Sequence, residues 1–299
     1  MQNFYKYLPV STEDQDWGLQ MLHAGYHLYQ PGNDYPDKDH PSHHCFDAKE
    51  GRVLQEYSLI YITGGQGVYT SPETGDRPVK AGSAIIIFPN ERHSYRPDPD
   101  TGWTEYWIGF NGPHMHHLVK KKFFGPLMPV INVGYNETMI NLFIQVIEAI
   151  KNEKAGYQPL VCGAAMYMLG QLHSAAKQQL FITGDEEQLV DHARLIIRSN
   201  LYKSFSPQQI ADELMISYSR FRKLFKAYTG MAPVQYQIQL KLEKAKEELV
   251  NTPKSVKEIA FDLKFESSQY FSNQFKRKTS LTPLEFKRSF GKLSRPPAR

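Results

Sequence analysis

Cysteine is nearly absent from this sequence: Cys45 and Cys162 are the only two in 299 residues, and neither stands at a spacing used for metal ligation or redox exchange. A disulfide framework is thereby excluded, and the composition suits a reducing, cytoplasmic setting. Long apolar runs are missing too. No stretch of about 18 apolar residues occurs, so no membrane-spanning helix and no membrane partner are expected. Met1 to Val10 lacks the basic-then-apolar order of a signal peptide. A strong net charge is also lacking, with 35 Lys+Arg against 31 Asp+Glu.

What is present is unevenly distributed. Residues 1–183 carry 14 Lys+Arg and 18 Asp+Glu, net −4, whereas residues 184–299 carry 21 and 13, net +8. At this length two domains, each with its own core, are expected. The basic half also contains a duplication. Ile210-Ala211-x-x-Leu214 returns as Ile259-Ala260-x-x-Leu263 at an offset of 49, and Phe221, Phe225, Pro233 and Tyr236 return as Phe271, Phe275, Pro283 and Phe286 at an offset of 50. Each copy reads as a short helix, a tight turn and a second helix rich in polar and basic residues, which is a helix-turn-helix written twice.

The acidic half reads differently. Met1 to about Cys45 looks irregular, punctuated by Pro31-Gly32-Asn33, Pro36 and Pro41, and is expected to be an arm. From Leu54 the period becomes two. Leu54 to Thr63, Val68 to Ser71, Ala84 to Phe88 and Trp103 to Phe110 read as short strands, with Gly64-Gly65-Gln66-Gly67 as a turn between the first two. Such strands predict a sandwich or small barrel able to enclose a small molecule. In the last strand Trp103, Glu105, Trp107 and Gly109 share one face, and Thr104, Tyr106, Ile108 and Phe110 the other. A carboxylate and a flat indole suit a hydroxylated ligand, so the glutamate-bearing face is the candidate pocket. His93 and Tyr95 share a face, with Arg92 and Arg96 opposite and solvated.

Lys80-Ala81-Gly82-Ser83, Ile85-Ile86-Ile87-Phe88-Pro89, His93-Ser94-Tyr95 and Trp103 to Phe110 together resemble the cupin-type effector domain of the AraC/XylS family of bacterial transcriptional regulators. The resemblance implies ligand contacts at His93, Tyr95, Glu105 and Trp107. A ligand-binding arginine of the arabinose-sensing member aligns with Gly64 and a histidine with Glu105, so arabinose itself is not carried over. Metal-binding cupins show a His-x-His on a strand, and none precedes His93 here. His40, His43 and His44 form one histidine cluster and His114, His116 and His117 a second, both expected in surface loops. A metal-dependent cupin enzyme with a DNA-binding appendage therefore stays as an alternative, beside an effector-independent architectural DNA binder. The preferred reading is a non-enzyme with no cofactor and no metal.

Between the two halves, Asn136 to Glu153 and Pro159 to Gln178 carry apolar residues at helical spacing, including Phe143, Val146, Ile150, Leu160, Val161, Met168 and Leu172. They predict an antiparallel pair packed on the barrel, and the resemblance implies a homodimer contact there. Residues 188–290 resemble the family's double helix-turn-helix throughout, including the closing Leu281-Thr282-Pro283-Leu284-Glu285-Phe286. By that alignment Ser219, Arg222 and Lys223 read bases in the first unit, and Ser268, Gln269, Tyr270 and Asn273 in the second. Arg220, Lys226, Lys276 and Arg277 are expected at phosphates. Lys264 and Ser280 stand where the family usually has glycine, which predicts backbone strain of about 1 kcal/mol at each.

The expected fold class is therefore α+β: a cupin-like effector-binding and dimerisation domain over residues 1–182, a linker at 183–187, and an all-α double helix-turn-helix over 188–299. The expected partners are double-stranded DNA, a small-molecule effector of carbohydrate type, a second copy of the chain and RNA polymerase. The function expected is effector-responsive activation of carbohydrate-utilisation genes.

Overall fold

The computed structural model describes residues 2–33, 35, 50–181, 185–204 and 206–291, with Leu180 described through its backbone alone. The chain divides into two compact units, Met1–Leu180 and Phe181–Arg299. Cys45, the histidine cluster at 40–44 and the linker residues Thr183 and Gly184 lie outside the described residues.

The first unit is an antiparallel β structure backed by helices. Its strands are β1 (Phe4–Tyr7), β2 (Gln20–Tyr29), β3 (Arg52–Val53), β4 (Tyr57–Ser71), β5 (Gly75–Lys80), β6 (Ser83–Ile87), β7 (Arg92–Pro97), β8 (Trp103–Asn111) and β9 (Val130–Asn132). The main path runs β1-β2-β8-β4-β6-β9, while β5 and β7 flank the far half of β4 and β3 pairs with β7.

Two expectations are corrected here. The segment before residue 30 supplies β1 and the ten-residue β2, which pairs with β8 along its whole length. Both faces of β2 are largely buried, so its sequence shows no clean alternation of apolar and polar residues. The glycines at 64–67 also do not end a strand. β4 runs through them, with a register shift between Ile62 and Gly64. Its first half pairs with β6 and β8, its second half with β5 and β7. Gly65 has φ 79°, and a Cβ there would lie 2.1 Å from the Gly102 carbonyl oxygen, so this bend requires glycine. A single bent strand thus joins the two halves of the β structure.

Alternation then separates two cores. Tyr29, Ile60, Ile62, Ile85, Ile87, Tyr95, Trp103 and Trp107 fill the barrel, whereas Leu59, Tyr61, Ile86, Tyr106, Ile108 and Phe110 face the helices. Those helices are α3 (Glu137–Asn152), capped by Asn136, and α4 (Tyr157–Gln178). Met139, Phe143, Val146, Ile147 and Ile150 of α3 and Val161, Ala165, Met168, Leu169 and Leu172 of α4 are buried as their spacing predicts. Leu160 departs from the expected stripe and is 67 % exposed. Earlier in the chain lie a short α1 (Thr12–Asp16) and α2 (Pro113–Lys120). The second histidine cluster is on α2 and not in a loop, because Pro113 sits at the helix start and Met115 anchors it in the core.

The second unit is entirely helical among its described residues. Helix α5 (Asp185–Ser199) starts inside the expected linker: Asp185, Glu186 and Glu187 form its first turn, where carboxylates are stabilised by the helix dipole. Next come α6 (Pro207–Glu213), α7 (Tyr218–Thr229), α8 (Pro233–Asn251), α9 (Val256–Asp262), α10 (Ser268–Thr279) and α11 (Pro283–Phe290). Phe221, Leu224 and Phe225 of α7 pack with Ile210, Ala211, Val190, Ile197 and Phe181 in one core. Phe271 and Phe275 of α10 pack with Ile259, Ala260, Leu263, Leu242, Ala245 and Leu249 in another. Helix α8 supplies residues to both, so it is the connection between the two repeats.

Candidate effector cavity and nucleic-acid interface

The register between β2 and β8 sets His27 opposite Glu105, Gly25 opposite Trp107 and His23 opposite Gly109. Large rings therefore lie over glycines. A Cβ on Gly25 would come within 2.1 Å of Trp107 Cζ2, so the missing side chain is what lets the indole lie flat against the wall. His93 and Tyr95 come from β7 with their rings stacked at 6.2 Å and 7°. The four residues expected to contact ligand are thus on the barrel's inner face, and His93, Tyr95, Glu105 and Trp107 are all buried.

The structure adds members that the sequence did not single out. Arg52 enters from the two-residue strand β3, beside His93 in register, and its Nη2 donates to the Tyr95 hydroxyl at 2.5 Å. Tyr35 packs edge-on against Tyr29, Tyr95 and Trp103 at 4.7, 6.0 and 5.7 Å. Asn3 Nδ2 lies 2.8 Å from His27 Nε2, and the His27 ring stacks on Tyr29 at 3.9 Å. No sequence signal marks Arg52, because so short a strand has no period. His23, Gly25, His27 and Tyr29 do alternate, and that pattern was the available signal.

Burial sets the protonation states. The Glu105 carboxyl is pushed up to about 8 by loss of solvent, against the opposing pull of the Arg52 charge and of the nearby Trp103 and Tyr35 donors. His93 is pushed down to about 4 by burial, so its ring is neutral at physiological pH. Its Nδ1 lies 2.9 Å from the Glu91 carbonyl oxygen and must carry the proton, which leaves Nε2 as an acceptor. His93 Nε2, Glu105 Oε2 and Trp103 Nε1 are buried and make no hydrogen bond within the structure; the last two are near one another without hydrogen-bonding geometry. The interior therefore holds both accepting and donating groups among apolar neighbours.

Among the described residues no group of three or more His, Cys, Asp or Glu is placed to hold a metal ion. No helix among them is long and apolar enough to cross a membrane.

In the second unit both helix-turn-helix copies use the same starts. Ser206 and Gln209 form a reciprocal capping box on α6, and Ser255 and Glu258 form its counterpart on α9. Ser217 caps α7 by accepting from the Arg220 amide, and Ser267 caps α10 by accepting from the Tyr270 amide. With Phe221 and Phe225 inward on α7, Ser219, Arg220, Arg222, Lys223 and Lys226 are exposed. On α10, with Phe271 and Phe275 inward, Gln269, Asn273, Lys276 and Arg277 are exposed and Ser268 and Tyr270 half-buried. Arg220 is set apart from the others, because its Nη2 lies 3.5 Å from Glu186 at the start of α5. Close by, Glu187 accepts from the Tyr228 hydroxyl at 2.8 Å and raises that phenol to about 12.

Lys264 and Ser280 adopt left-handed backbone at φ 54° and 65° where Gly230 has 81°. Met215, the counterpart of Lys264 in the first repeat, also has φ 54°, so a strained turn occurs in both copies. Lys264 is partly compensated: its carbonyl accepts from Lys241 Nζ at 3.1 Å and its own Nζ lies 4.3 Å from the centroid of the Phe261 ring. Ser280→Gly is expected to stabilise the second unit by up to about 1 kcal/mol, read as a raised thermal midpoint; a lowered midpoint would contradict the strain.

The family described as an AraC-like ligand binding domain matches residues 30–170, and that described as a helix-turn-helix domain matches residues 210–289. The HTH-type transcriptional activator RhaR of Salmonella dublin is 26 % identical over 250 residues, covering 77 % of this chain and 83 % of the relative. A solved AraC-type transcriptional regulator from Chromobacterium violaceum is 26 % identical with a TM-score of 0.33, covering 36 % of this chain and 95 % of that one. The DNA-binding domain of AdpA, solved in complex with a target DNA, is 23 % identical with a TM-score of 0.34, over 36 % and 97 % of the two chains. With a β-rich unit carrying buried polar groups in the region of the first match and a doubled helix-turn-helix in the region of the second, the chain belongs to the AraC/XylS family of transcriptional regulators.

Proposed function

We propose that the chain is a sequence-specific transcriptional activator of carbohydrate-utilisation genes, switched by a sugar held inside the barrel. The observation that carries this is the set of buried groups that find no partner: His93 Nε2, Glu105 Oε2 and Trp103 Nε1. His93 Nε2 accepts, Trp103 Nε1 donates and the protonated carboxyl of Glu105 can do either, and a hydroxyl group can satisfy each kind. A ligand with several hydroxyls on an apolar ring face matches that wall, with Trp107 as the flat surface. A purely apolar effector would leave each group unpaired, at about 1–3 kcal/mol apiece.

In this reading residues 1–182 sense and dimerise and residues 188–299 read the promoter, in the cytoplasm. The dimer contact uses the outer face of α4. There Leu160 and Tyr167 are 67 % and 53 % exposed, and Gly163 and Gly170, a heptad apart, have open space beyond their Cα atoms. RhaR is a transcriptional activator by name, which supports activation, and hence contact with RNA polymerase, over repression.

Thermal denaturation of the full chain against a panel of neutral mono- and oligosaccharides tests the sugar. A matching sugar at about 100 times its Kd stabilises the folded state by about 2.7 kcal/mol. The shift should vanish in His93→Ala. A panel in which no saccharide moves the midpoint, while ligands of another chemistry do, would remove the sugar and leave the DNA reader standing.

A further inference from the structure

Helix α10 carries a coupled pair of amides on its outward face. Gln269 Nε2 donates to Asn273 Oδ1 at 3.2 Å, four residues along the helix. Both side chains are exposed, and they lie about 200° around the axis from Phe271 and Phe275, which point into the core. Resting on the reading that this helix enters a major groove, we propose that Asn273 reads adenine and that Gln269 acts as its positioning residue. The two then form one reading unit and not two independent ones.

The reasoning starts from the amide itself. Asn273 Oδ1 has two lone pairs, and Gln269 uses one of them. The second lone pair and both Nδ2 hydrogens stay available. Adenine presents an acceptor at N7 and a donor at N6 in the major groove, the complement of an asparagine amide. Guanine presents two acceptors there, N7 and O6, so the Oδ1 end meets no donor. Turning the asparagine amide alone end for end would set Nδ2 against Gln269 Nε2, donor against donor, so the two amides orient together. Gln269 thereby restricts the asparagine amide to orientations that match its own and holds it before DNA arrives. Ordering a side chain in advance reduces the entropy lost on binding. In the first repeat the offset of 50 sets Ser219 and Lys223 at the corresponding positions. A hydroxyl and an ammonium cannot form this unit, so the adenine preference belongs to the half of the site bound by the second repeat.

The test is selection from a pool of DNA duplexes with a randomised central window, using the full chain and its variants at one fixed salt concentration. The parent should enrich adenine at one position, favoured about 5- to 150-fold over other bases. Asn273→Ala should lose that preference and leave the remaining positions intact. Gln269→Ala should weaken the preference at the same position, and the double variant should be no worse there than Asn273→Ala alone. Loss at two different base pairs in the two single variants would overturn the pairing, as would an unchanged adenine preference in Gln269→Ala. Enrichment of no sequence by the parent would overturn the DNA-reading function itself, and this proposal with it.

Discussion

A Glu105→Gln variant is expected to be more stable than the parent at pH 8, by several kcal/mol, and indistinguishable from it near pH 4.5. In the unfolded chain this carboxyl titrates at its ordinary value of 4.5, whereas inside the barrel it is held up to about 8 by burial. Between those values the folded sensor keeps a proton that the unfolded chain has released. Stability linked to that proton is complete below pH 4.5 and is lost as the pH rises through 8, at about 1.4 kcal/mol per pH unit, which accumulates to about 5 kcal/mol. Glutamine keeps the shape without the titration. His93 acts at the other end of the scale: its folded value of about 4 lies below its ordinary 6.5, so the stability it contributes is present above pH 6.5 and is lost as the pH falls through 4. Urea midpoints of the sensor's transition from pH 4 to 9 measure both. Parallel curves for parent and variant would show that Glu105 is solvated in solution.

Phe225→Ala carries the second large effect, on the DNA-binding half. Phe225 is fully buried and meets Phe221 at 5.5 Å and Tyr236 at 5.3 Å, both edge to face. Truncating a buried phenylalanine costs about 3–5 kcal/mol through lost transfer energy and the cavity left behind. A whole domain has only about 5–15 kcal/mol to lose. The first repeat should therefore open and operator binding should fall by orders of magnitude. The second repeat has a separate core around Phe271 and Phe275, so amide exchange should stay slow in α9 and α10 while it accelerates in α6 and α7. Equal acceleration in both repeats would mean that the rigid connection through α8 makes them one cooperative unit.

These two sites differ in how far the sequence foretold them. The duplication fixed the helical half almost residue by residue. Helix caps and the i, i+4 phenylalanines are local signals, so the inward face of α7 and α10, and hence the outward one, followed from spacing alone. Contacts between turns did not follow. Arg220 is exposed on its helix as expected, yet it stands beside Glu186, 34 residues earlier in the chain. Asp185, Glu186 and Glu187, placed in the expected linker, form the first turn of α5, since an acidic stretch reads as polar loop until its helix is seen.

The barrel half was legible only where one face of a strand was regular. Alternation in β8 assigned Glu105 and Trp107 to the same side, and pairing with β2 confirms it. Arg52 reaches that side from a two-residue strand and Tyr35 from outside any strand, and no local period encodes either. The bend at Gly65 likewise depends on how close the Gly102 backbone passes.

By itself, then, the sequence determined the fold class, the doubled helix-turn-helix and the side of the last long strand that faces the barrel interior, because each rests on periodicity within one element. Tertiary structure decided what surrounds Glu105 and which protons Glu105 and His93 hold. Those depend on burial and on distances between atoms, and such quantities exist only once the chain has closed on itself.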